Sequence, residues 1–254
     1  MRIGVAGGPG RMGRIVLELA RAAGEETLAF SRPGAAPPSG VELTDRAQAL
    51  ATAEVIIDFS TAEASAELAR AAAQAGRPPL VIGTTGATAA EDRAVAAAAG
   101  VIPVVRSGNF SLGVNVMAAL AEMAAARLAA ADWDVDIAEA HHREKRDAPS
   151  GTAMMLGEAV ARGRGASLQQ RRLPPLGERA SASRPAGGIA FSSVRAGNLV
   201  GEHTVLFASQ DETLTLAHSA RDRRIFAKGA LAAARWIVGK PPGLYDMADV
   251  LGLR

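Results

Sequence analysis

The sequence contains no cysteine. That excludes disulfides, thiolate nucleophiles and cysteine-ligated metals, and it suits a reducing compartment. Aromatic residues are scarce, with six Phe, two Trp and one Tyr in 254 residues, so alanine-rich helices and aliphatic strands must fill the core. Long hydrophobic runs are missing: stretches such as 94-AVAAAAGVIPVV-105 are too short to cross a bilayer. Charge of one sign is not in excess either. A formal net charge of +2 and no basic tail give no electrostatic case for a nucleic-acid partner. The opening MRIGVAGGPGRMG reads as a buried strand entering a glycine turn, not as a secretory leader. A cytoplasmic location with no membrane partner is expected. What remains is a globular balance, 48% hydrophobic and 21% charged, long enough for one large domain or two modest ones.

The first hundred residues alternate by period. Strands are predicted at Met1–Ala6, Thr27–Phe30, Glu54–Asp58, Pro79–Ile82 and Val101–Val105. Helices are predicted at Arg11–Ala23, Ala62–Ala75 and Thr88–Ala99. Such alternation with short links predicts a parallel sheet covered on both faces. The pattern then changes. A helix is expected over Gly113–Ala130, a strand over Asp134–Ala140 and a helix over Ser150–Arg162, where Pro149 and Ser150 are start signals. Residues 163–187, rich in Gly, Pro, Ser and Arg, read as an exposed, mobile loop. Three strands, Ile189–Arg195, Glu202–Ala208 and Thr213–His218, follow without intervening helices, which predicts an open mixed or antiparallel sheet. A helix over Ile225–Val238, the turn 239-GKPPG-243 and a short terminal helix complete the chain.

After the first strand, 7-GGPGRMG-13 spaces Gly7, Gly10 and Gly13 three apart. Such glycines permit a tight turn, close backbone approach to a pyrophosphate and close packing of helix on sheet, while the helix N-terminus supplies N–H donors. The alternative is a purely structural turn, but the flanking strand–helix–strand pattern favours a dinucleotide site. The second strand ends in 28-LAFSRPG-34. A site that prefers NADH usually carries a carboxylate there for the ribose 2′-hydroxyl. Ser31 does not repel a 2′-phosphate, and Arg32 either pairs with one or is a solvated loop residue. NADPH is therefore expected to serve at least as well as NADH. Three further strand ends, 58-DFST-61, 83-GTTG-86 and 106-RSGNFS-111, fall where ligands bind in an open parallel sheet.

The chain has four histidines, and two are adjacent, in 138-AEAHHREKRDAPSGTA-153. In extended geometry neighbouring side chains point to opposite sides, so His141 and His142 would do different jobs. Lys145 and the helix start 150-SGT-152 beside them make an anion site suited to carboxylate or phosphate. The stretch thus combines a proton donor with a carboxylate clamp. No metal is expected. Glu139 is near, but adjacent histidines do not chelate as an i, i+4 pair does, and Lys145 would repel a cation. Arg143, Glu144 and Arg146 read as plain loop charges.

The combination of GGPGRMG, DFST, GTTG, GNFSLGVN, EAHHREKRDAPSGTA, VRAGNLVGEHTVLF and GLYDMADVL resembles the 4-hydroxy-tetrahydrodipicolinate reductase family, also called dihydrodipicolinate reductase, nearly end to end. The resemblance implies a Rossmann domain from both chain ends, residues 1–112 and 220–254, and a substrate-binding and oligomerisation domain over 113–219 with an open mixed sheet. It implies a homotetramer and a small dicarboxylate substrate, a cyclic imine reduced by NADPH or NADH in lysine and diaminopimelate biosynthesis. Carried over, His141 is the acid/base and Lys145 a second proton donor. His142, Ser150, Gly151 and Thr152 contact substrate. Arg11 and Met12 of the glycine loop, Gly83, Thr84, Thr85, Gly108, Asn109 and Phe110 line the cofactor, and Arg223 and Phe226 reach back to it. Closure about residues 110–113 and 219–223 is expected to bring cofactor and substrate together. Ser31 departs from the family pattern, where an acidic residue precedes the arginine. The rivals are a reductase of related build acting on another cyclic imine or a semialdehyde, and a non-enzymatic dinucleotide sensor. The sensor would need no His141–Lys145–Thr152 set.

Overall fold

A computed structural model describes all residues except 33, 35, 38–40, 42, 176–183 and 254. The chain divides into two compact units, Met1–Leu112 with Arg223–Arg254, and Gly113–Asp222.

The first unit is a six-stranded sheet in the order β10-β5-β4-β3-β1-β2, parallel throughout. Its strands are β1 (Arg2–Ala6), β2 (Glu26–Phe30), β3 (Val55–Asp58), β4 (Leu80–Ile82), β5 (Pro103–Arg106) and β10 (Gly243–Tyr245). The central ones are apolar but for Asp58 at the end of β3, as strands buried on both faces must largely be. On one face, α1 (Arg11–Ala22), α8 (Arg224–Ile237) and α9 (Met247–Leu251) pack Val16, Leu17, Ala230, Ala234 and Met247 over Ile3, Val5, Ile57 and Val105. On the other, α2 (Arg46–Thr52), α3 (Ala62–Ala75) and α4 (Ala89–Ala99) cover Ile56, Leu80, Ile82 and Val104. Small residues let these layers approach. A Cβ on Gly229 of α8 would lie 1.7 Å from the Phe110 carbonyl oxygen. Gly229→Ala should therefore displace α8 and destabilise the fold by about 1–3 kcal/mol. Thermal denaturation against Gly108→Ala, whose Cβ would meet nothing within 4 Å, checks this, and equal melting temperatures would refute it.

The second unit is a four-stranded sheet in the order β7-β6-β8-β9. Strands β6 (Asp134–His141) and β7 (Ile189–Arg195) run parallel, while β8 (Gly201–Ala208) is antiparallel to both β6 and β9 (Thr213–Ala220). Helices α5 (Leu112–Arg127) and α6 (Gly151–Gly163) supply Met117, Ala121, Leu156 and Val160 to a core with Val135, Ile137, Val205 and Phe207.

Both sheets match the expected fold class, a parallel α/β Rossmann-type sheet plus a smaller mixed one. Three details differ. Helix α2 went unpredicted although Asp45 caps the Gln48 N–H at 2.7 Å, a cap readable in 45-DRAQ-48. Strand β10 is not among the predicted strands and overlaps the expected turn at Gly243, because three residues carry no period and only pairing with β5 makes them a strand. The expected loop over 163–187 is partly ordered. Ser167 and Gln170 form a capping box on α7 (Leu168–Arg171), Arg172 bridges to Ile189, and Arg184 is paired with Asp134 and Asp136 at 3.0 and 2.6 Å. Residues 176–183 of that loop lie outside the described residues.

Candidate active site

In the first unit the strand order reverses at β1, which pairs with β2 on one side and β3 on the other. A sheet of this type opens a crevice at such a point, at the carboxyl ends of the strands. There Gly7, with φ +72°, turns the chain, and its N–H donates to the Phe30 carbonyl at 3.0 Å. Gly10 precedes α1 as an N-cap without a side-chain cap, leaving the helix N–H groups open. At Gly13 a Cβ would lie 2.3 Å from the Gly7 oxygen, so only glycine lets α1 close against the turn. A cleft of about 1040 Å³ lies over this point, lined by Gly7, Gly10, Ser31, Arg32, Thr44, Arg46, Phe59 and Ser60 among others. A cradle that a Cβ would fill, beneath an uncapped helix start, fits a dinucleotide pyrophosphate.

Other predicted cofactor residues fall nearby or deeper. Arg11 is exposed at the start of α1, while Met12 and Phe226 pack against the core. Gly83 sits under the Phe59 ring, where a Cβ would meet Cε1 at 2.3 Å. Thr84 Oγ1 is 2.8 Å from Ser65 Oγ, which donates to Asp58 Oδ2 at 2.5 Å, and the Ser60 N–H donates to Oδ1 at 2.8 Å. Burial pushes the Asp58 carboxyl up, and the Ser60 and Ser65 donors oppose this. This buried hub ties the 58–61 and 83–86 loops together. Thr85 and Gly108 are exposed. Asn109 Oδ1 accepts the Ser111 N–H at 2.8 Å, and Phe110 is buried, its ring edge-on to Phe59 at 5.9 Å. Arg223 caps α8 through its backbone, without a side-chain cap bond.

In the second unit β6 ends at His141, which is buried, and His142 just beyond it is half-buried. His141 Nδ1 lies 2.5 Å from Glu139 Oε2, two residues back on the same strand face. Arg195, opposite His141 on β7, forks onto Glu139 with N···O distances of 2.8 and 2.7 Å, and the Ser150 N–H donates to Oε1 at 3.3 Å. Burial alone would raise the Glu139 carboxyl, but Arg195 first, then Ser193 and His141, outweigh it and hold it at about 2. An ionised Glu139 makes Nδ1 of His141 the donor, so Nε2 is the end left for a ligand. Gly201 keeps that end open, since a Cβ there would sit 3.0 Å from Nε2. Burial keeps the His141 imidazole below its ordinary value. Glu139 opposes this, and the charges of Lys145 and Arg195 reinforce it.

Ser150 caps α6 by accepting the Ala153 N–H at 3.2 Å, so Gly151, exposed, and Thr152, half-buried, form its first turn. Lys145 points to Asp147 at 2.9 Å and holds that carboxyl below the usual carboxylate range. One loop and one strand end thus bring together a carboxylate-held imidazole, an ammonium and a helix start.

Family profiles described as "Dihydrodipicolinate reductase, N-terminus" and "Dihydrodipicolinate reductase, C-terminus" match residues 1–110 and 113–251. The chain belongs to the dihydrodipicolinate reductase family. Membership makes it a pyridine-nucleotide-dependent oxidoreductase of lysine and diaminopimelate biosynthesis. It is 51% identical over 257 residues to the 4-hydroxy-tetrahydrodipicolinate reductase of Caulobacter vibrioides, covering 100% of this chain and 98% of that one. It is 45% identical to the Granulibacter bethesdensis enzyme of the same name, with the same coverage. The fold is also that of the dipicolinate-bound dihydrodipicolinate reductase of Paenisporosarcina sp. TG-14, with TM-score 0.79, 23% identity and 98% of each chain covered.

Sequence reasoning missed Glu139 as the partner of His141, weighing it only as a metal ligand. Its spacing of two on a strand was the available signal. Arg195, Gly201 and His203 lie within VRAGNLVGEHTVLF, but their approach to His141 is made by strand pairing, 54 to 62 residues along the chain, and no local pattern signals it.

Proposed function

We propose that the two units divide the reduction of 4-hydroxy-tetrahydrodipicolinate to tetrahydrodipicolinate between them, the first holding NADPH or NADH and the second the dicarboxylate. Gly7, Gly10 and Gly13 with the start of α1 would hold the pyrophosphate, and the 83–86 and 108–110 loops the nicotinamide half. Once the 4-hydroxyl has left as water, giving a conjugated ring, the bound nicotinamide would supply a hydride to that ring. The α6 start at Ser150, Gly151 and Thr152, with His142 and Lys145, binds the substrate carboxylates. Glu139 holds His141 by Nδ1 and directs Nε2 to the ring that hydride addition leaves electron-rich. A bound dianion favours proton uptake on His141, and the proton is then delivered from Nε2. The observation that carries this reading is the buried Glu139–His141 pair with its open Nε2, at the end of the strand that leads through a loop to the α6 start. Oxidation of NADPH with freshly generated 4-hydroxy-tetrahydrodipicolinate tests it, and no turnover would end it.

Ser31 and Arg32 line the cleft over the glycine turn, and no carboxylate stands at position 31 to repel a 2′-phosphate. NADPH should serve at least as well as NADH. Arg32→Ala should raise the KM for NADPH about 10-fold, the worth of a charge-assisted bond, and leave that for NADH nearly unchanged. Equal effects on both cofactors would show that Arg32 is a solvated residue. For the assembly, we read the second unit's sheet, whose outer strands expose Val194 and Leu214, as the contact surface of a homotetramer. No described helix is long and apolar enough to cross a membrane, in keeping with a cytoplasmic enzyme.

A further inference from the structure

His203 is used by none of this chemistry, yet it is built into the site. It lies on β8 directly across from Glu139 and is 5% exposed. Its ring meets that of His141 edge-on, with centroids 5.1 Å apart at 73°. Nε2 is 3.2 Å from Ser150 Oγ, and Nδ1 is buried with no hydrogen-bond partner among the described residues.

Ser150 Oγ already accepts the Ala153 N–H, so two arrangements are open to the pair. If Nδ1 carries the ring proton, the Ser150 hydroxyl donates to Nε2, and a buried N–H is left without an acceptor. If Nε2 carries it, the ring donates to Oγ. Only a bare ring lone pair is then orphaned, and the hydroxyl proton of Ser150 is free to point at a ligand. Buried N–H groups without acceptors are rarer in proteins than under-used acceptors, which favours the second arrangement. We propose that His203 is a positioning residue that turns the Ser150 hydroxyl into a donor toward a carboxylate oxygen of the substrate. This rests on the reading of 150–152 as the carboxylate clamp. The neighbours keep His203 uncharged, with one ring proton only. Burial, with charge on His141, His218 and Lys145, pushes it down to about 4 against the pull of Glu139.

Ring ¹⁵N–¹H correlation spectra test the first half directly, because four histidines can be assigned by single substitution. The expected result is the Nε2–H tautomer for His203, uncharged at neutral pH. The Nδ1–H tautomer would overturn the proposal, and this readout does not depend on any variant folding. Titration calorimetry with dipicolinate tests the second half. His203→Phe and Ser150→Ala should each weaken binding about 10-fold, the worth of one hydrogen bond to a charged group. The double variant should be no weaker than either single, since both remove the same donor. His203→Gln, which keeps an N–H, should restore most of the affinity. Wild-type affinity in His203→Phe, or additive losses, would reject the coupling. Failure of the unaltered protein to bind dipicolinate, with the tautomer as expected, would instead locate the error in the carboxylate clamp and remove this inference with it.

Discussion

His141→Gln should lower kcat by about 10²–10⁴-fold, the usual worth of a positioned general acid, with a modest change in KM. Glutamine keeps an N–H for Glu139 and much of the ring's volume but has no proton to give from the Nε2 position. The pH profile supplies a second readout. A general acid must be protonated, so kcat/KM of the unaltered enzyme falls as pH rises through the His141 value in the free protein. Burial sets that value below the ordinary 6.5. The decline should therefore begin on the acid side of an ordinary imidazole, and the variant should lose that limb. An unchanged kcat would remove His141 from its role.

The second large effect is expected at Glu139. Glu139→Gln removes the charge that Arg195 grips with two N–H groups, and it replaces the acceptor of the Nδ1–H by an amide that can equally present a donor. Breaking a buried pair by deleting one partner costs about 3–5 kcal/mol. Loss of the tautomer should also reduce kcat, on the order of 10²-fold or more. The stability loss has a definite pH signature. The carboxyl is held at about 2 against an ordinary 4.5, so it stabilises the fold above pH 4.5, and that contribution disappears as pH falls from 4.5 toward 2. The displacement is worth about 3 kcal/mol. Urea denaturation should show a large gap between the unaltered protein and Glu139→Gln at pH 6 that narrows at pH 3.5. A gap independent of pH would mean that Glu139 is not ionised in the fold.

Much of this site was legible before any coordinates. Gly7, Gly10 and Gly13 carry their meaning locally, because a turn with φ +72° and a helix start where a Cβ on Gly13 would lie 2.3 Å from the Gly7 oxygen admit few other residues. Ser150 caps α6 because Ser in that position satisfies an orphan N–H. The terminal strand β10 was not legible, having no period of its own. Nor was the order within 163–187, since Arg184 finds Asp134 and Asp136 only across the sheet.

By itself the sequence determined the strand–helix alternation, the glycine turn, the place of the tandem histidines and the family. Each of these is written in residues close together along the chain, where period, turn chemistry and helix caps act. Tertiary structure alone decided what those histidines are held by. Strand pairing sets Arg195 and His203 beside Glu139 and His141, excludes water from the carboxylate and chooses which ring nitrogen is held and which is left free for a ligand. Contacts between distant segments are made by register, and register is a property of the folded sheet.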